Sequence, residues 1–394
     1  MTATKLSVLL GADSLLGRRS GVGRMTWQIA HMLREHPEIG ALRLLAGAGT
    51  LSPDCLDAAE PDSAPTPRNA GGAGSRERLG RLPGAAALRA AWLRRRLNRT
   101  ARALPPPVVY HEPNLIARPF DGPTVLTIND LSWRVDRGFH PERRAAWIER
   151  RLPGSLAQAT RFVSISDFTA GEMVRELGIP RERIDVVPLA PSAVFRPLAL
   201  GESAATLSRH GLSAGGFVLS VSTLEPRKNF DRLLAAHARL PDALRARHPL
   251  AIAGGAGWGS ALEGERAERA LRAGHLRLLG HVADAELVAL YSQCSAFAFP
   301  SLYEGFGLPV IEAMACGAPV IAAATTATGE TAGDAALLVE PLDERAIADA
   351  LRTAIEDQAT AHRLRRAGLA RAATFTWEAT IARLIASWRR ALAA

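Results

Sequence analysis

Lysine is almost missing from this sequence of 394 residues: Lys5 and Lys228 are the only two, although Lys and Arg together number 48. A chain that takes its positive charge from Arg has placed a Lys directly after Arg227, which suggests a site needing a compact point charge beside a planar fork. Cysteine is scarce too. Cys55, Cys294 and Cys316 stand at unrelated spacings, excluding a disulfide framework and a zinc pattern; the apolar surroundings of Cys294 and Cys316 read as core. No stretch reaches the ~18 consecutive apolar residues of a spanning helix, and the run Leu6 to Leu10 is too short for an export signal. The expected location is the cytoplasm. There is no D-x-D and no acidic or histidine cluster at ligand spacing, so neither a metal nor another cofactor is expected. Aromatics make up 5% of the chain, without the interleaved basic and stacking residues of a nucleic-acid site, so nucleic acid is not an expected partner.

The charge that is present is unevenly placed. Of the net +9, residues 1–195 hold 27 basic against 19 acidic residues, and residues 196–394 hold 21 against 20. Nine arginines and one acid, Glu77, lie between Arg76 and Arg102. Within that stretch AAALRAAWLRRRLNRTARAL reads as a helix, with Leu88, Trp92, Leu93, Leu97 and Leu104 apolar among the arginines. A basic amphipathic segment over residues 76–104 suits the surface of an anionic membrane; a solvated face is the plainer alternative.

Strand and helix patterns alternate along the whole chain, which implies parallel, doubly wound sheets. The length suits two domains, each with its own core. A Pro-rich stretch near residues 187–201 separates an expected first Rossmann-like domain, residues 1–197, from a second, residues 198–375. Residues 376–394, WEATIARLIASWRRALAA with a preceding Thr, form a terminal helix. Residues 51–84, rich in Ala, Pro, Gly and Asp, read as a long loop.

The organising stretch is residues 301–317, entered from residues 296–300. An apolar run bounded by Pro300 reads as a buried strand. A loop with Gly305 and Gly307 follows, then a helix opening at Leu308–Pro309 and closing at Gly317. Such a unit aims amide N–H groups and the positive end of a helix dipole at an anion. Glu304 and Glu312 frame it. Carboxylates beside a phosphate site are suited to sugar hydroxyls, as in dinucleotide folds, although acids near a helix N-terminus are also ordinary. Gly21 and Gly23 lie at an earlier strand-to-helix junction, either a tight turn or a second glycine loop. The clusters His111–Asn114 and Asn129–Asp130 end two strands and are expected to face the cleft. His111 taken alone reads equally as a structural histidine.

E-G-F-G-L-P-V-I-E (Glu304 to Glu312) resembles the signature of retaining glycosyltransferases of family 4, which have the GT-B fold. Phe162 to Phe195, Leu219 to Ala236, Leu250 to Trp258 and Leu278 to Cys294 resemble the same family in the same order, so about two thirds of the chain is covered. The subgroup it resembles most is bacterial mannosyltransferases that build lipid-linked surface polysaccharides. The resemblance implies a nucleoside-diphosphate-sugar donor, expected to be GDP-mannose, held by Gly21, Gly23, Glu304, Gly305, Phe306, Gly307, Leu308, Glu312, His281 and Val282. It implies that Arg227 and Lys228 grip the β-phosphate, that Glu304 binds the hexose and Glu312 the ribose. Asn129 and Asp130 are placed in the catalytic set. Many relatives carry His where this chain has Asn129, which puts in doubt any role needing an imidazolium there. The implied reaction is retaining, metal-independent front-side transfer to a polyprenyl-diphosphate-linked oligosaccharide at the inner face of the cell membrane, the terminal helix packing back on the first domain. Open alternatives are a UDP- or dTDP-sugar donor (glucose, GlcNAc, rhamnose), a soluble acceptor, and a silent sugar-nucleotide-binding scaffold.

Overall fold

The computed structural model describes residues 4–16, 21–47, 49–56, 85–259 and 262–394. The expected loop over residues 51–84 lies, from residue 57 on, outside them, as do residues 76–84 of the basic segment. Seven strands form the first sheet: β1 (Leu6–Gly11), β2 (Ile39–Ala46), β3 (Gly49–Leu51), β4 (Val108–Glu112), β5 (Thr124–Ile128), β6 (Arg161–Ser164) and β7 (Ile184–Val186). Their order is β3-β2-β1-β4-β5-β6-β7, parallel except for the antiparallel edge strand β3. Six more form the second: β8 (Val218–Val221), β9 (Leu250–Ala253), β10 (Leu276–Gly280), β11 (Ala296–Phe299), β12 (Val320–Ala323) and β13 (Ala336–Val339). Their order is β10-β9-β8-β11-β12-β13, and every pairing is parallel. The central strands β1, β5, β9, β11 and β12 are buried along their whole length. Helices on both faces demand that, which is why these strands read as unbroken apolar runs.

The helix Trp377–Ala393 returns to the first sheet and lies against β4 to β7. Ile381, Leu384, Ile385 and Trp388 are at most 3% exposed, and each such burial stabilises by about 1.5–3 kcal/mol. Polar contacts fix its register: Ser387 donates to Asp185 at 2.7 Å, Thr380 to the Pro188 carbonyl at 2.7 Å. Trp388 also covers His111. That ring is fully buried, 2.8 Å from the Thr127 hydroxyl and edge-on to Trp388, and burial drives its pKa down to about 3. The expectation that His111 faces the cleft is therefore corrected. Its side chain alternates to the helix side of β4, and the returning helix closes over it.

The basic helix runs Ala85–Arg102. Its apolar residues do not share one fate. Leu97 is 5% exposed, packed with Leu9, Leu45, Tyr110 and Phe120, with Leu104 beside them; Leu88 and Trp92 remain 75% and 49% exposed.

Candidate active site

In the second sheet the strand order reverses between β8 and β11. Loops leaving such a pair diverge and open a crevice at the strands' carboxyl ends. The loop after β8 folds into a tight turn, Pro226–Lys228. Asn229 anchors it in a left-handed conformation (φ 62°), its carboxamide donating to the carbonyls of Pro300 at 2.9 Å and Pro341 at 2.6 Å. The Leu302 amide donates to the Arg227 carbonyl at 2.8 Å. The stretches around 225–229 and 301–307 thus form one unit.

Its charges interlock. Lys228 Nζ lies 2.5 Å from Glu304 Oε1 and Arg227 Nη1 3.1 Å from Oε2. Arg227 also pairs with Glu225 at 3.0 Å and donates to the Tyr303 carbonyl at 3.2 Å. Burial opposes ionisation of Glu304, but Lys228 and Arg227 outweigh it and hold the carboxyl below its ordinary range. Each Glu304 oxygen already receives a cation. Since a carboxylate offers about four lone-pair sites, a sugar hydroxyl would share the group with Lys228 and Arg227 rather than find it free.

The glycine loop is set by the opposite domain as much as by any ligand. A Cβ on Gly305 would lie 1.9 Å from the Asn129 carbonyl oxygen, so no other residue lets the two loops approach. The Gly305 carbonyl accepts from Ser166 Oγ at 2.8 Å and Thr169 Oγ1 at 3.3 Å. Gly307 takes φ 90° and opens the helix Leu308–Ala315, which has Pro in its first turn and no side-chain cap; its amide end is left to the crevice. Asn129 meets the loop through its backbone, and its carboxamide donates to the Pro113 carbonyl at 3.0 Å. Asp130 Oδ1 accepts from the Ser132 amide at 3.1 Å and hydroxyl at 2.7 Å.

Two of the expected donor-site residues have buried side chains. The Phe306 ring packs edge-on to Phe375, 5.7 Å between centroids, and Val282 is 4% exposed within the core. Only their backbones can face a ligand, because both apolar side chains gain more from burial. His281 is exposed. Gly21 and Gly23 sit in the first turn of the helix Gly21–Arg34 rather than in a loop before it; residues 17–20 lie outside the described residues.

Glu312 stands at the second half of the site. It is 4% exposed, accepts from the Tyr291 hydroxyl at 3.3 Å, and lies 3.8 Å from Arg24 Nη1. Burial raises its pKa to about 7, with Asp284 adding to the rise and Arg24 and Tyr291 opposing it. Arg24, from the first domain, also pairs with Asp284 of the second. Arg24, Asp284 and Glu312, with Trp27, Phe195 and Leu308, line an open pocket between the domains. Sequence reasoning missed Arg24 and Asp284; the available signals were Arg24's place directly after Gly23 and Asp284's place just after His281–Val282. Among the described residues no group of three or more His, Cys, Asp or Glu is placed to hold a metal ion.

Comparison with known proteins identifies the family and the fold. Residues 211–371 match the family model for glycosyl transferases group 1, and residues 20–190 the model for glycosyltransferase family 4. The chain is 36% identical over 270 residues to O-antigen chain mannosyltransferase B of Escherichia coli, covering 68% of this chain and 71% of that protein. It is 31% identical over 244 residues to the serotype-specific mannosyltransferase WbdA of Escherichia coli, covering 60% of this chain but spanning only 29% of WbdA. Among solved structures, Anabaena HepE in complex with UDP and glucose superposes with a TM-score of 0.70 at 20% identity, covering 98% of this chain and 99% of that one; this likeness bears on the fold.

Proposed function

Because this chain belongs to glycosyltransferase family 4 and has the GT-B fold, we propose that it transfers α-mannose, with retention, from GDP-mannose to a polyprenyl-diphosphate-linked oligosaccharide in surface-polysaccharide assembly. The observation that carries this reading is the Arg227–Lys228–Glu304 cluster at the mouth of the β8–β11 crevice. Breaking a glycosidic C–O bond to a diphosphate builds negative charge on the leaving phosphate, and fixed cations stabilise it without reorganising. Lys228 and Arg227 are such cations, held in register by Glu304. The uncapped helix end adds amide dipoles from the opposite wall. Glu312 faces the interdomain pocket, where a carboxylate can accept from ribose hydroxyls. In this reading an oxygen of the leaving phosphate takes the acceptor's proton, and these cations supply the positive field in place of a metal ion.

Mannose as the sugar rests on the similarity to the two Escherichia coli mannosyltransferases. A uridine donor is the second reading, favoured by the likeness to HepE, solved with UDP and glucose. The acceptor would reach the site at a membrane surface through residues 76–104. Among the described residues no helix is long and apolar enough to cross a membrane, so contact would be peripheral.

Turnover of GDP-, UDP- and dTDP-sugars with a polyprenyl-diphosphate acceptor, and the anomeric configuration of the product, test the reading. GDP-mannose with an α-product is expected. A rate unchanged by excess chelator is expected as well; chelator-sensitive turnover or a β-linked product would sink the mechanism, and binding of every donor without turnover would point to the scaffold.

A further inference from the structure

The phosphate-facing cluster is not electrically ready for its ligand. Two cations, Arg227 and Lys228, stand among three carboxylates: Glu225 and Glu304 in direct contact, and Asp130 across the cleft, close enough to act on Arg227. A nucleoside diphosphate adds at least two negative charges to a group already one short of neutral. Positive charge has to come from somewhere, and one titratable group beside the cluster has no part in the mechanism above.

That group is His140. Its segment, Arg137–Phe139, packs directly on the Pro226–Lys228 turn. The ring lies against Trp258 of the second domain, 5.4 Å between centroids, and the Trp258 indole donates to the Phe139 carbonyl at 2.7 Å. The Ser132 hydroxyl bridges His140 Nε2, at 2.7 Å, to Asp130 Oδ1, also at 2.7 Å. A carboxylate can only accept, so the hydroxyl proton points to Asp130 and the ring must donate its Nε2–H to Ser132. This fixes the tautomer and puts the lone pair on Nδ1, which is buried with no hydrogen-bond partner among the described residues. The charged groups facing the ring are Arg144 on the helix Glu142–Gln158, Asp130 on the loop after β5, and Arg227. Burial first, then Arg144 and Arg227, hold its pKa below the ordinary value against the pull of Asp130, so the unliganded ring is neutral near pH 7.

We propose that His140 is the proton-accepting group of the donor site: a nucleoside diphosphate seated on Arg227 and Lys228 draws one proton from solvent onto His140 Nδ1, and the resulting imidazolium, tethered through Ser132 to Asp130, completes the positive field around the diphosphate. Binding engages Arg227, the guanidinium that otherwise opposes protonation, and brings anionic oxygens to the ring's neighbourhood; both changes favour the charged imidazole. This rests on the donor-site reading given above.

Calorimetric titration with GDP and with UDP, in buffers of different ionisation enthalpy near pH 7, counts the protons exchanged. The intact chain is expected to take up about one proton more per nucleotide than His140→Asn. Because Glu312 is present in both proteins, its own titration cancels. Ser132→Ala keeps the ring but cuts its tether, so its uptake is expected to peak at lower pH. Equal uptake by the intact chain and His140→Asn overturns the assignment, as does a Ser132→Ala profile that matches the intact chain. Should His140→Asn fail to fold, the Ser132→Ala profile alone decides. If neither nucleotide binds the intact chain, the donor-site reading itself fails and the His140 assignment falls with it, a result distinct from binding without proton uptake.

Discussion

At the scale of single residues the site is a balance of buried charge, and that balance sets what substitutions do. Lys228→Ala removes a cation proposed to meet the leaving phosphate and leaves Glu304 paired with Arg227. Glu304→Ala leaves two cations without their organiser. Each is expected to cut turnover by roughly 100-fold or more, the scale of losing one transition-state stabiliser. Since breaking a buried pair also destabilises by about 3–5 kcal/mol, melting temperature must be read alongside, and near-normal turnover in folded variants would remove the assignment. Glu312 makes a pH prediction. Its pKa is raised to about 7, and its carboxylate form is the better acceptor for ribose hydroxyls, so donor affinity gains from this residue as pH rises through 7. Glu312→Gln stays neutral throughout. The affinity ratio of the intact chain to Glu312→Gln should therefore grow roughly tenfold between pH 6 and 8. A ratio flat with pH would show that Glu312 does not touch the nucleotide. The lone lysine beside Arg227 was legible in the sequence because the rest of the chain avoids lysine. Its pairing with Glu304, 76 residues on, was not, since spacing carries no information about which loops a sheet reversal brings together.

At the scale of elements, strands and helices were legible because each repeats a simple pattern: β11 is an apolar run closed by Pro300, and the helix after it, Leu308–Ala315, carries Pro309 in its first turn and is followed by Gly317 at φ 75°. The basic helix Ala85–Arg102 shows where pattern stops. Its leucines and tryptophan read as one apolar side, yet the carboxyl-terminal half spends Leu97 on the sheet, leaving Leu88 and Trp92 in solvent among arginines; Arg96 stacks over Trp92 at 5.4 Å. A helix docked at one end and basic with exposed apolar side chains at the other suits an anionic bilayer. Each basic residue near such a surface contributes about 1 kcal/mol. Burying a large apolar side chain contributes about 1.5–3 kcal/mol. Leu88→Ala with Trp92→Ala should weaken partition onto vesicles containing phosphatidylglycerol by roughly tenfold or more, and raised salt should weaken the intact chain as well. Binding indifferent to the substitutions and to salt would make this a solvated face.

At the scale of the whole molecule the two domains are joined in ways no local pattern announces. Glu330 of the second domain accepts from the backbone amides of Asp167 at 2.9 Å and Phe168 at 2.8 Å, capping the helix Asp167–Leu177 of the first. The Tyr303 hydroxyl, one residue before Glu304, bonds Glu172 and accepts from the Leu131 amide at 3.0 Å. Ser166, the cap of that same helix, holds the Gly305 carbonyl. The first domain thus grips the loop that presents Glu304, and Glu330 sits at the outer end of the grip. Its site is exposed, so the bond is screened, but a carboxylate on two orphan amides at a helix N-terminus still contributes about 1 kcal/mol. If the joined arrangement is the one that orders residues 301–307 for the donor, Glu330→Ala should lower the joined population about fivefold relative to the open one. A larger radius of gyration in small-angle scattering should accompany a fall in kcat/KM of at most that size. A saturating nucleoside diphosphate, bound by both walls, should restore the smaller radius, because ligand binding pulls the equilibrium towards the state that makes more contacts with it. Were the variant as compact as the intact chain and fully active, Glu330 would be a surface contact only, and the ordering of the donor loop would rest on Ser166, Thr169 and Tyr303.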